Sequence, residues 1–150
     1  MKRARVSGRM FIAALAILGM VLASSSAPVV ASSHYAKITI HNAACDLETD
    51  DLFGECHNHR IRGQFYVAGV WRTTNWDGVV SWGPGAGTRK IIEHPEMFDV
   101  YGYVGAYVYC SNQVTGAVLW DGLADADGTG AIIIKTTAGQ PVICDWYNLK

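Results

Sequence analysis

Two histidines and three carboxylates crowd one short stretch of this chain. Asp50, Asp51 and Glu55 precede His57 and His59, which are separated by a single residue. In an extended segment alternate side chains share a face. Two imidazoles with carboxylates nearby could then hold zinc or a similar divalent ion. The plainer reading, a polar loop in water, is preferred. A second acidic run, Asp121-Gly122-Leu123-Ala124-Asp125-Ala126-Asp127-Gly128, echoes a calcium loop but lacks the terminal bidentate Glu at the required spacing. A hairpin turn is expected there. His94 sits between Glu93 and Pro95-Glu96, yet nothing singles out a serine partner, and no Gly-x-Ser-x-Gly elbow exists. Adjacency in sequence is not triad geometry. Neither a catalytic residue nor a cofactor is expected.

A different chemistry is carried by aromatics. Residues 32–150 hold five Trp, seven Tyr and three Phe, many of which a sandwich core can absorb, for example Phe65, Trp82 and Trp146. Tyr101, Tyr103, Tyr107 and Tyr109 share one parity of a single run, and Gly102, Val104, Ala106, Val108 and Cys110 share the other. If the small, apolar parity faces inward, the tyrosines form an outward stripe. Such a row could stack on sugar rings or dock on a protein; cross-strand packing that shields the sheet is the plainer alternative.

The elements that must position these groups are short strands. Ile38 and Ile40 alternate with Lys37, Thr39 and His41, a period of two. Gln64 to Trp71 is a β-rich run, and Val79 to Trp82 follows an Asn75-Trp76-Asp77-Gly78 turn. Thr88 to Glu93, Tyr101 to Cys110, Ala117 to Trp120, Ala131 to Thr136 and Val142 to Tyr147 complete the set, punctuated by Asp-Gly and Ala-Gly turns. Seven or eight such strands predict an all-β, antiparallel sandwich. Residues 46–63 break the pattern and read as a polar excursion.

Lys2, Arg3, Arg5 and Arg9 followed by the apolar run Phe11 to Ala23 and the small residues Val29-Val30-Ala31 have the layout of a signal peptide. The apolar run is shorter than the roughly 20 residues that span a bilayer. Cleavage after Ala31 is expected, leaving one domain over 32–150 and no membrane span. That domain carries eight Lys and Arg against thirteen Asp and Glu, a net charge of −5 with His neutral. Such a balance argues against nucleic acid as a partner, which calls for a basic patch. The expected location is secreted or extracellular, periplasmic where an outer membrane exists.

All four cysteines fall in the domain, which suits two disulfides in an oxidising compartment. Cys45 and Cys56 flank the excursion. Cys110 and Cys144 sit on the apolar parity of two late strands, with Val108 and with Val142 and Trp146. The expected pairing is therefore 45–56 and 110–144, with 45–144 as the rival among three connectivities.

Two sequence features together carry a family resemblance. One is Thr73-Thr74-Asn75-Trp76-Asp77-Gly78-Val79-Val80-Ser81-Trp82 followed by Gly85-Ala86-Gly87-Thr88-Arg89-Lys90-Ile91-Ile92-Glu93. The other is the cysteine frame, from Ile40-His41-Asn42 and Cys45 through Cys56-His57 and Val108-Tyr109-Cys110-Ser111 to the ending Cys144-Asp145-Trp146-Tyr147-Asn148. The chain resembles the prealbumin-like surface domains called Cna-B or SpaA-like, within exported bacterial proteins that end in C-D-W-Y-N. The resemblance implies a prealbumin-like (Ig-like) sandwich of about seven strands. It also implies a non-enzymatic stalk, pilin or adhesin role, to which the aromatic stripe adds an extracellular protein or glycan as expected partner. The competing expectation is a small secreted metal-dependent enzyme or metal-binding factor using His57, His59 and the acidic 46–55 loop. Many domains of the family carry a Lys–Asn isopeptide bond assisted by a buried Glu, for which Asn148 and Glu93 are the matching residues. With Ile38 and Ile40 facing inward, the next inward position is Asn42 and Lys37 points out, so that bond is not expected.

Overall fold

A computed structural model describes residues 35–124 and 130–150, apart from the side chains of Met97 and Phe98. The expected signal peptide and residues Asp125 to Gly128 of the acidic run lie outside the described residues. No helix of the described residues is long and apolar enough to cross a membrane.

Nine strands are described. They are β1 (Ile38–Cys45), β2 (Gln64–Val67), β3 (Val70–Thr73), β4 (Val79–Trp82), β5 (Gly87–Glu93), β6 (Gly105–Asn112), β7 (Val118–Leu123), β8 (Ala131–Thr136) and β9 (Val142–Leu149). One π-type turn (Leu52–Cys56) and one short helix, α1 (Glu96–Asp99), interrupt them. The strands form two sheets, β4-β1-β9-β6-β7 and β3-β2-β5-β8. Alternation drives the layering: β6 is buried at every second residue from Ala106 to Asn112, and β1 buries Ile38, Ile40 and Asn42. Facing side chains interdigitate between the sheets, with Ile38, Ile40, Val108, Val142 and Trp146 from one meeting Phe65, Val67, Ile91, Ile132 and Ile134 from the other. The Phe65 and Trp146 rings meet edge to face at 5.1 Å, the geometry their quadrupoles favour. The chain is an all-β sandwich.

Three details differ from the sequence expectation. The run from Gln64 to Trp71 is not one strand. Ala68 and Gly69 both take positive φ, 52° and 88°, and the two-residue turn they make reverses the chain between β2 and β3. Such turns match the twist of a hairpin, and an alanine in the left-handed region is uncommon enough that the sequence signal is faint. Second, the sheets are not wholly antiparallel. β1 and β9 run parallel over eight residue pairs, Ile38↔Val142 through Cys45↔Leu149. The intervening chain passes through both sheets, so no hairpin constrains their direction. Third, Tyr101 and Tyr103 precede β6, because Gly102 (φ 72°) turns the chain after α1.

Two disulfides fasten this frame. Cys110 and Cys144 are direct cross-strand partners in β6 and β9, with Cα atoms 4.0 Å apart. Cys45 pairs with Cys56, Cα atoms 5.3 Å apart, closing the excursion against the end of β1.

Candidate functional site

The most concentrated polar chemistry lies inside the sandwich. Glu93 ends β5 and enters the core from the four-stranded sheet, while Asn42 of β1 and Trp146 and Asn148 of β9 enter from the other. All four are fully buried. Trp146 Nε1–H donates to Glu93 Oε2 at 2.7 Å. Asn148 Nδ2 donates to Glu93 Oε1 at 3.0 Å and to Asn42 Oδ1 at 2.8 Å. The two bonds to Glu93 tie one sheet to the other, and the bond to Asn42 joins β9 to its neighbour β1. Burial pushes the Glu93 carboxyl up to about 8, against the pull of the bonds from Asn148 and Trp146. Desolvation outweighs the two donors.

The walls around Asn42 are tight. Gly63 and Gly78 both press on it: a Cβ at Gly63 would collide with Asn42 Nδ2, and one at Gly78 with the Asn42 carbonyl. Gly78 also needs φ +68° to complete the turn from Asn75, which glycine adopts without penalty. Asn42 Nδ2 reaches the Ile61 carbonyl at 3.5 Å. Lys37 stands exposed at the outer end of the strand. An amide at position 42 is not a nucleophile, so the cluster holds an acid and a carboxamide with no amine to join them. A titratable group near neutrality suits general acid–base work, yet nothing dissolved in water reaches this one.

The excursion arranges its candidate ligands differently. The Cys56 carbonyl accepts from the His59 amide at 2.8 Å, so residues 56–59 form a turn. His57 and His59 therefore do not share the face that an extended segment would supply. Arg60 Nη2 lies 2.9 Å from His57 Nε2 and 3.2 Å from its Nδ1, placing a fixed positive charge where a cation would bind. Asp51 Oδ1 accepts from the Gly54 amide at 2.8 Å, capping the π-type turn, and Asp50 is exposed. No group of three or more His, Cys, Asp or Glu among the described residues could hold a metal ion. A hydrogen-bond contact not foreseen joins His41 Nδ1 and Asp145 Oδ1 at 3.0 Å across β1 and β9.

The tyrosines divide as well. Tyr101 is exposed and Tyr103 is buried, with Lys150 Nζ 5.5 Å from its ring. Tyr107 and Tyr109 keep the expected parity but are half-buried. The excursion folds over this face. Phe53 meets Tyr109 at 5.4 Å and Tyr147 at 5.6 Å, both edge to face. Tyr107 donates to Asp121. Burial pushes the Tyr147 hydroxyl up to about 12, and that hydroxyl has no hydrogen-bond partner among the described residues. A four-tyrosine stripe does not form, because the turn at Gly102 separates the first two from the strand.

Exposed aromatics gather elsewhere, beside an open cleft of about 290 Å³ lined by Arg62, Gly63, Gln64, Thr73, His94, Glu96 and Tyr101. Gln64 and Thr73 are opposite partners in the β2–β3 hairpin. His94 joins them through its amide, which donates to the Gln64 carbonyl at 2.8 Å. Trp71 lies 5.2 Å from His94 and 5.2 Å from Tyr66. Arg62 stacks over Trp76 at 4.5 Å. The signal for this site was the two-residue turn at Ala68-Gly69: once the hairpin is placed there, parity puts Gln64, Tyr66, Trp71 and Thr73 on one outer face.

No protein-family model and no curated protein matches the chain. Among solved structures it is similar to the major pilin from Streptococcus pyogenes, at 12% identity and a TM-score of 0.39, over 78% of this chain and 48% of that one. It is also similar to a bacterial adhesin from Mobiluncus mulieris containing intramolecular disulfide, isopeptide and ester bond cross-links, at 16% identity and a TM-score of 0.48, over 77% of this chain and 41% of that one. The chain spans less than half the length of these solved chains.

Proposed function

We propose that the chain is an exported, non-enzymatic structural or adhesion-type module of the Cna-B/SpaA-like kind, which meets an extracellular protein or glycan through exposed aromatics. The sealed cluster carries this reading. The residues with the strongest acid–base chemistry are shut inside the sandwich, at the positions where the resembling family sets its internal cross-link. Here hydrogen bonds from Asn148 to Asn42 and Glu93 take the cross-link's place. The cluster therefore serves cohesion between sheets, and the surface is left to serve recognition.

Export is tested by expressing the full chain in a bacterial host and measuring the intact mass of material outside the cytoplasm. The expected product begins at Ser32, has both disulfides, and has lost no ammonia. Retention in the cytoplasm, or residues 1–31 still attached, would overturn the reading. Introducing Asn42→Lys sharpens the cohesion argument. If the cluster stands at the family's cross-linking position, the Lys amine attacks the Asn148 carboxamide carbon and ammonia leaves. A fraction of the variant should then lose the mass of one ammonia.

A further inference from the structure

We infer that the cleft between the β2–β3 hairpin and α1 binds a neutral sugar residue. The inference rests on the reading of the chain as a surface-binding module, and it names both the ligand class and the site.

Three observations carry it. The first is the convergence of polar groups, of which Arg62 stacks on Trp76 and Glu96 Oε2 lies 3.8 Å from His94 Nδ1. Arg62, Gln64, Thr73, Glu96 and Tyr101 converge on one cleft, and among the described residues no side-chain hydrogen bond occupies the Gln64 amide, the Thr73 hydroxyl or the Tyr101 hydroxyl. Asn148, Asn42 and Asn112, by contrast, use their amides internally. The second is the mixture of donors and acceptors. A guanidinium offers paired N–H donors, a carboxylate two acceptors, and the amide and hydroxyls offer both. One Arg and one Glu leave the wall without a dominant sign, which selects against an ion and for a ligand that is itself donor and acceptor at adjacent atoms. Vicinal hydroxyls are that ligand. The third is the flanking aromatic surface. Trp71 remains 42% exposed on an edge strand and Trp76 82% exposed. Each touches a cleft residue, His94 and Arg62 respectively. An indole face presents an apolar surface with a negative quadrupole, which suits the C–H face of a pyranose whose hydroxyls point into the cleft.

The size fits one sugar residue with its neighbours outside. At about 290 Å³ the cleft sits at the small end of ligand sites.

The test uses the oxidised protein and the methyl glycosides of glucose, galactose and N-acetylglucosamine, followed by indole N–H resonances and saturation-transfer NMR. At least one glycoside should perturb the Trp71 indole resonance and receive saturation at its ring C–H groups. Trp71→Ala and Gln64→Ala should each weaken that binding by at least about tenfold, while Tyr109→Phe, on the opposite sheet, should leave it unchanged. Gln64→Ala covers the case in which the larger truncation disturbs the hairpin. Absence of binding by all three glycosides and by a broader array of neutral glycans would overturn the inference, as would binding indifferent to both substitutions. Adhesion of protein-coated beads to cells separates the two levels. Adhesion that survives enzymatic removal of cell-surface glycans would leave the module reading standing and sink the sugar site. Failure of adhesion before and after that treatment, together with no glycan binding, would remove both.

Discussion

Glu93 and His94 are neighbours in sequence and face opposite environments. Glu93 is fully buried between the sheets, held by Trp146 and Asn148. His94 stands at the outer cleft with Gln64 and Thr73. The sealed region turns its donors inward, to Glu93 and Asn42, so removing one of them leaves a buried acceptor unpaired, while Asn148 Oδ1 has no partner among the described residues. The open region leaves its hydrogen-bonding capacity to water, so its groups cost little to change and are available to a ligand. One step along a strand separates cohesion from recognition.

The sharpest way to break this contrast is to titrate it. Folded, Glu93 keeps its proton up to about pH 8, whereas an ordinary glutamate releases it near 4.5. Between those values the native state binds the more protons, so the contribution is complete below about 4.5 and falls as pH rises to about 8. At roughly 1.4 kcal/mol per unit, the loss is at most about 5 kcal/mol. Urea midpoints at about pH 5 and pH 8.5 should show it, and Glu93→Gln should flatten the slope. A slope unchanged by that substitution would assign the pH dependence to other groups.

The next largest effect is expected from the sealed disulfide. Replacing Cys110 and Cys144 together with Ala opens a loop of 34 residues, for which chain entropy gives about 4 kcal/mol. Removing Cys45–Cys56, with a separation of 11, should cost about 3 kcal/mol on the same model. Thermal and denaturant unfolding compare the two, and equal losses would mean that loop length does not govern them.

Gly78→Ala tests how tightly the wall holds Asn42. A Cβ there meets two backbone carbonyls, of Asn42 and Ile61, at a positive φ. A destabilisation of about 2 kcal/mol or more is expected, read from the shift in urea midpoint. The smallest effect belongs to the cleft: Gln64→Ala and Thr73→Ala should each move stability by no more than about 0.5 kcal/mol. A larger loss would show that the cleft residues are structural after all.

Much of this was legible along the chain. Alternation placed Ile38, Ile40 and Asn42 inward, and the turn residues Asn75 to Gly78 form the turn their types predict, with Asn75 Oδ1 accepting from the Val79 amide at 2.8 Å. The misreadings share a cause. At Ala68-Gly69 a non-glycine residue adopts a left-handed conformation, and at Gly102 a turn interrupts a run whose composition looks continuous. Local composition records strand propensity but not where the chain reverses. For the same reason the tyrosine parity held for Tyr107 and Tyr109 and failed for Tyr103.

By itself the sequence determined the period of two, the all-β class and which side chains could share a face. Those are properties of neighbouring residues on a pleated backbone. Only the tertiary structure decided that Asn42, Glu93 and Asn148 meet, and that Gln64, Thr73 and His94 line one cleft. Each of those encounters joins different strands or loops through register, chain reversal or the stacking of two sheets. Contacts of that kind depend on how distant segments are brought together, which no local pattern contains.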